Sequence, residues 1–181
     1  MTRYVALLRG INVGGRKLIK MDHLASVFAS AGFKNVRTLI ASGNVSFDAP
    51  EADAKTIAAK IEKKLQKAFG HEVPTTVRTV DELRALVKRN PFKQVEASKD
   101  VMVCVAFLFS PPAQELKFPL VFPKENLEIL GVYHGAACIV ARRKANGWFT
   151  FPHEFVEKNF SVLSTTRNWT TVKKLAAIKP D

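Results

Sequence analysis

The chain is short of acid, of cysteine and of long apolar runs. Its 181 residues hold 16 Asp and Glu against 28 Lys and Arg, a formal charge of +12. The two cysteines, Cys104 and Cys138, each lie inside an apolar run with no metal-ligand spacing around them, so they read as small core residues. Four histidines are scattered, and His153-Glu154-Phe155-Val156-Glu157 lacks the second histidine of a zinc helix. No Ser/His/Asp or Cys/His constellation can be assembled and no carboxylate pair stands out, so catalysis and cofactor are left unassigned and no metal is expected. The apolar run Tyr4–Leu8 is too short for a signal peptide and no stretch approaches a membrane span. A reduced, cytoplasmic setting away from membranes is the expectation.

What is present suits a globular α+β protein. The 47% hydrophobic content can fill a core without disulfides. Residues 1–90 carry 16 basic and 8 acidic groups, and residues 91–181 carry 12 and 8. That balance favours polyanions or phosphate-bearing ligands. A solvated surface explains part of it, because the lysines from Lys55 to Lys67 lie at helical spacing on an outer face.

In chain order, Tyr4–Leu8 predicts a strand buried on both faces. A helix follows over about Met21–Ala31, then a strand over Asn35–Ile40. A turn at Ser42-Gly43-Asn44 and a strand over Val45–Phe47 come next, then a helix over about Ala52–Phe69 and a strand over Val73–Arg78. This β-α-β-β-α-β order suits a ferredoxin-like sandwich over residues 1–80. Thr79-Val80-Asp81-Glu82 reads as a capping box opening a helix to about Arg89, where Asn90-Pro91-Phe92 stops it. Residues 81–100 are taken as helix and linker, with the boundary in the polar stretch Lys93–Asp100.

Residues 101–181 read as a second α+β subdomain. Val101–Phe109 is its strongest strand. Leu127–Leu130 and Ala136–Ala141 form a pair, Asn146-Gly147 signals a hairpin before Trp148–Phe151, a short helix runs from Pro152 to Lys158, and a last helix covers about Trp169–Ile178. The order suggests a degenerate second ferredoxin-like copy, without a visible residue-level repeat.

Several segments resemble a bacterial family known only as domain of unknown function 1697. They are Tyr4–Gly15, Ser42-Gly43-Asn44-Val45, Val77-Arg78-Thr79, Asn90-Pro91-Phe92 and Thr166-Arg167-Asn168-Trp169 with Thr171-Val172. That family's pattern carries an aromatic and a glutamine before Ser-Gly-Asn, where this chain has Leu39 and Ala41. The resemblance implies an α+β fold with ferredoxin-like parts and no assigned activity.

The stretch Arg9-Gly10-Ile11-Asn12-Val13-Gly14-Gly15-Arg16-Lys17 holds three glycines, one asparagine and three basic groups. Strand order 4-1-3-2 would set it beside Ser42-Gly43-Asn44 at one sheet edge. Glycine there lets backbone N–H groups approach an anion, and a helix begins nearby. The expected ligand site is therefore Arg9, Gly10, Asn12, Gly14, Gly15, Lys17, Ser42, Gly43 and Asn44. Arg167, Asn168 and Trp169 join it as an arm closing from the second half. The expected ligand is small and phosphate-bearing. The structural alternative is a glycine-rich turn needed only for its backbone angles, with a cap and a Trp anchor at 165–169. Arg78 leaves the opposite edge and is paired with the third helix or the second half, or with a surface or interdomain salt bridge.

The competing function is RNA binding by a basic surface. A ferredoxin-like sheet that reads RNA displays aromatics on its middle strands. Here only Tyr4 and Phe47 qualify, and both could point into the core.

Overall fold

The computed structural model describes residues 1–14 and 18–179. The chain divides into two compact units, Met1–Leu83 with the segment from Leu175 onward, and Arg84–Lys174. The division falls inside a helix and not in the polar stretch Lys93–Asp100. The reason is local. The Thr79 N–H donates to Glu82 Oε2 (2.7 Å) and the Glu82 N–H to Thr79 Oγ1 (3.1 Å), so the expected capping box joins strand to helix with no linker.

In the first unit the order is β1 (Thr2–Leu8), α1 (Met21–Ser30), β2 (Lys34–Leu39), β3 (Asn44–Ala49), α2 (Ala54–Phe69) and β4 (Thr75–Thr79). Helix α3 (Val80–Arg89) begins directly after β4. The sheet runs β2-β3-β1-β4 with every neighbouring pair antiparallel. This is the order that a split βαβ connectivity requires. Period-2 alternation sends Tyr4, Ala6, Leu8, Val45, Phe47 and Val77 to one face, where they pack with Leu24, Phe28, Ile57, Ile61 and Leu65. Tyr4 stacks on Phe47, with ring centroids 5.7 Å apart, inside that core. The two middle-strand aromatics are therefore not on display for a base. Helix α2 is closed at both ends. Asp53 accepts from the Lys55 and Thr56 N–H groups, and Gly70 takes the left-handed φ of 76°.

The second unit holds β5 (Val101–Leu108), β6 (Leu120–Phe122), β7 (Leu127–Tyr133), β8 (Ala136–Arg142), α4 (Pro152–Phe160), β9 (Ser164–Asn168) and α5 (Trp169–Ala176), whose last residues belong to the first unit. Its sheet runs β6-β7-β8-β5-β9, all antiparallel. Without the edge strand β6, this order repeats that of the first sheet. Residues 109–119, where a first crossover helix would stand, form neither helix nor strand. Two expectations are corrected here. Trp148–Phe151 is not a strand, and Ser164–Asn168 is one.

Register reveals a residue-level repeat that linear inspection misses. Val5 faces Ser46 and Arg78, and Val105 faces Cys138 and Arg167. Val5-Ala6-Leu7-Leu8 thus aligns with Val105-Ala106-Phe107-Leu108, and Thr76-Val77-Arg78 with Thr165-Thr166-Arg167. The Leu8 N–H donates to Gly43 O (2.9 Å) and the Leu108 N–H to Gly135 O (2.8 Å). Gly43 and Gly135 both hold positive φ, 82° and 71°. From the helices, Glu62 Oε1 accepts the Thr75 N–H (2.7 Å) and Glu157 Oε1 accepts the Ser164 N–H (2.8 Å).

Each glutamate satisfies the first donor of its fourth strand. Glu62→Ala and Glu157→Ala are each expected to lower stability by about 1–2 kcal/mol, because a backbone N–H at a buried strand start loses a charged acceptor. Urea unfolding measures both. Equal losses fit equivalent roles, and a loss at only one site would undo the equivalence.

Candidate functional site

The glycine-rich loop leaves β1 at the end where the β2–β3 turn also lies. The Arg9 N–H donates to Pro74 O (2.9 Å) and the Leu8 N–H to Gly43 O, so the loop starts from a fixed stem. Gly10, Asn12 and Gly14 all hold positive φ, at 69°, 54° and 59°. Asn12 tolerates that region because its short amide can bond locally. Its Oδ1 accepts the Ile19 N–H (2.7 Å), and its Nδ2 donates to Ile19 O (3.1 Å) and Ala41 O (2.9 Å). One side chain thus ties the loop's two ends to each other and to the neighbouring turn.

In that turn Ile40 has φ 62° and is 49% exposed. A β-branched residue in this conformation is under strain, at a cost of about 1–3 kcal/mol. Asn44 is fully buried, and its Nδ2 donates to Leu39 O (2.9 Å) and Ser42 Oγ (3.1 Å). Gly43 has no room for a side chain, since an added Cβ would lie 2.8 Å from Ile11 Cδ1 and 2.9 Å from Leu8 Cβ. Added Cβ atoms at Gly10 and Gly14 would meet nothing within 4 Å.

The expected adjacency of the two segments is therefore present, but with a different division of labour. Asn12 uses its amide on the backbone of Ile19 and Ala41, and Asn44 Nδ2 donates to Leu39 O and Ser42 Oγ. Arg9 is half-buried, Gly10, Gly14 and Ser42 are exposed, and Val13 and Leu18 stand out beside them. Gly15, Arg16 and Lys17, of which Gly15 and Lys17 belong to the expected site, lie outside the described residues. Helix α1 starts where the loop ends. Its N-cap Lys20 supplies no side-chain bond, and Asp22 sits in its first turn.

Arg167, Asn168 and Trp169 do not form an arm. Ser164–Asn168 pairs with β5 as an edge strand and Trp169 begins α5, because the alternating polar run buries its inner positions against the sheet. Arg167 is only 6% exposed and donates from Nη1 to Thr165 Oγ1 (2.8 Å) and Thr166 O (2.9 Å). Burial pulls its guanidinium down to about 10, still charged at pH 7. Arg78 repeats this geometry, with Nη1 on Thr76 Oγ1 (2.7 Å) and Val77 O (2.7 Å). Burial lowers Arg78 as well, against an opposing pull from Glu82. Trp169 meets Phe92 edge-on, with centroids 5.0 Å apart.

The second unit holds a feature that sequence reasoning passed over. A cavity of about 640 Å³ is lined by Phe92, Phe149 and Trp169, with Lys99, Lys173 and Asn168 among its polar groups. Next to it the turn after β8 exposes Trp148 (73%) and Phe151 (64%). The signal was in the sequence: Arg142-Arg143-Lys144 followed by Trp148-Phe149-Thr150-Phe151, with no acid between Glu128 and Glu154.

Burial pushes both Cys104 and Cys138 up to about 12, so neither is a thiolate at neutral pH. Among the described residues no group of three or more His, Cys, Asp and Glu could hold a metal ion, and no helix is long and apolar enough to cross a membrane.

Among the described residues, two antiparallel sheets, five α-helices and a braced glycine loop define an α+β protein. The chain belongs to the family described as protein of unknown function (DUF1697), whose pattern matches residues 1–135. Among solved structures it is similar to the conserved bacterial protein SP0830 from Streptococcus pneumoniae. Identity is 20%, the match covers 97% of each chain, and the TM-score is 0.63, a likeness of fold. No curated protein matches.

Proposed function

We propose that the protein binds a small phosphate-bearing ligand at the loop edge of its first unit. The observation that carries this reading is the alternation of positive φ at Gly10, Asn12 and Gly14 in a loop braced by Asn12. Alternating left-handed residues turn successive backbone N–H groups toward one concave side, where an oxyanion is held by donors without a charged side chain. The open space over Gly10 and Gly14 lets a ligand approach that backbone closely. The partly exposed Arg9 adds favourable potential. Asn12 acts here as a positioning residue. The nine-residue stretch Arg9–Lys17 also brings Arg16 and Lys17 to the same segment.

The test is a thermal-shift series on the full chain with inorganic phosphate, nucleoside monophosphates and sugar phosphates at millimolar concentration. One of them is expected to raise the melting temperature in a concentration-dependent way, as mass action requires for a ligand of the folded state. Asn12→Ala is expected to weaken that ligand about tenfold, which is what loss of about 1.4 kcal/mol of preorganisation gives. The melting temperature without ligand separates this effect from simple destabilisation. If none of the three ligand classes shifts the transition, or if Asn12→Ala shifts as far as the parent, the reading fails.

A further inference from the structure

We infer that the turn after β8 and the adjoining cavity of the second unit form a binding site for single-stranded nucleic acid. This goes beyond the proposed phosphate site, uses different residues and does not depend on it.

Three observations converge. The first is a ring held out into solvent on a stiff mount. The Lys144 N–H donates to Trp148 O (2.8 Å) and the Gly147 N–H to Lys144 O (2.9 Å), while the Trp148 N–H donates to Asn146 Oδ1 (3.1 Å). Arg143 Nη1 donates to Gly147 O (2.8 Å). Trp148 is thus 73% exposed on a turn that is bonded four ways. The backbone that carries the indole is already ordered, so stacking has only the side-chain rotamers left to fix.

The second is the number of aromatic side chains carried by this segment and the cavity beside it. Phe149 follows Trp148 and lines the cavity with Phe92 and Trp169, while Phe151 stands exposed two residues on. The Arg143 guanidinium lies over the Phe149 ring, 4.8 Å from its centroid. Its Nε donates to Asp100 Oδ1 (2.7 Å) and its Nη2 to Lys99 O (2.8 Å), which ties the turn to the start of β5. The cavity volume of about 640 Å³ falls in the range that takes a nucleobase or a base with its sugar.

The third is charge. Arg142, Arg143 and Lys144 precede the rings, and Lys99 and Lys173 line the cavity. The acids nearby are Glu96 on the lining, Asp100, which faces Arg143, Glu128, 3.7 Å from Arg142, Glu125, whose carbonyl accepts from Thr150 Oγ1 (2.8 Å), and Glu154, three residues after Phe151. Aromatic platforms flanked by cations bind single strands, because each base offers a face for stacking while its phosphate meets a cation. A duplex hides those faces in its own stack, so it does not fit. An acidic peptide would meet the cations, but it does not offer a stacking face and an anion at every repeat as a single strand does.

Both tryptophans of the chain lie at this site, so intrinsic fluorescence reports on it directly. The experiment titrates the full chain with a 12-nucleotide single-stranded oligouridylate. It follows tryptophan quenching and, in parallel, the anisotropy of a fluorescein-labelled copy. Quenching that saturates is expected, with affinity falling as salt rises. Trp148→Ala is expected to weaken binding about tenfold, the effect of losing one stacked base. Its melting temperature should stay at the parent value, because the ring is exposed. Lys144→Gln should lower the salt slope by about one. Three outcomes overturn the proposal: no quenching at low salt, a duplex of the same length or polyglutamate binding as tightly, or Trp148→Ala binding like the parent.

Discussion

Gly43→Ala is expected to destabilise the protein by about 3 kcal/mol and to lower its melting temperature by roughly 6–12 °C. Two terms add. The backbone at Gly43 has φ 82°, where a Cβ costs about 1–2 kcal/mol. The same Cβ would stand 2.8 Å from Ile11 Cδ1 and 2.9 Å from Leu8 Cβ, both on fully buried residues that cannot move cheaply. Overpacking of that kind costs about 1–3 kcal/mol. Gly43 O also accepts the Leu8 N–H, so a shift to relieve the clash would lengthen a bond that closes the sheet. Gly10→Ala supplies the internal comparison. Its φ of 69° brings the first term, but the space above it is open, so about half the loss is expected. Differential scanning calorimetry on both variants decides the matter. Equal losses would mean that packing against Ile11 and Leu8 contributes nothing.

Asp48→Ala is expected to cost about 2–3 kcal/mol at pH 7, between the values for exposed and buried ion pairs. Arg3 is 8% exposed, and its Nε and Nη2 both donate to the Asp48 carboxylate, the latter at 2.9 Å. Asn35 Nδ2 adds a third bond at 2.7 Å. Burial raises the Asp48 carboxyl, but the hydrogen bonds from Arg3 and Asn35 and the Arg3 charge outweigh it, leaving it below 3.8. The folded value is thus depressed. The contribution is fully present above the unfolded value near 3.8 and is lost as pH falls through the folded value. The stability gap between parent and variant should therefore be flat from pH 5 to 8 and narrow below about pH 4. A gap that widened on acidification would reverse the sign and remove the assignment.

Much of the first unit was readable because its signals are local. Leu24, Val27 and Phe28 form a stripe at helical spacing, and Gly32 and Gly70 stop α1 and α2. Thr79 and Glu82 sit three apart at the start of α3, and their reciprocal bonds are present. The strand order followed from connectivity alone, and with it the meeting of the glycine loop and the Ser42-Gly43 turn. What was not readable depended on particular partners distant in sequence. Ser164–Asn168 is polar throughout, and only pairing with Cys104–Leu108 makes it a strand. Asn146-Gly147 does turn the chain, with the Lys144 N–H closing on Trp148 O, but residues 148–151 find no strand partner and the Trp148 ring is exposed. At Asn12 and Asn44 the position was legible and the direction of the amide was not. An asparagine reads the same in sequence whether it faces a ligand or its own loop.

The matched pairs Gly43 with Gly135 and Glu62 with Glu157 put equivalent fastenings at equivalent places of one strand plan held twice. The joinery is common to both sheets. The connections at the sheet ends are not, since one sheet has a glycine loop ahead of a helix and the other has residues 109–119 without one. Those connecting segments are where the two halves should be searched for separate tasks.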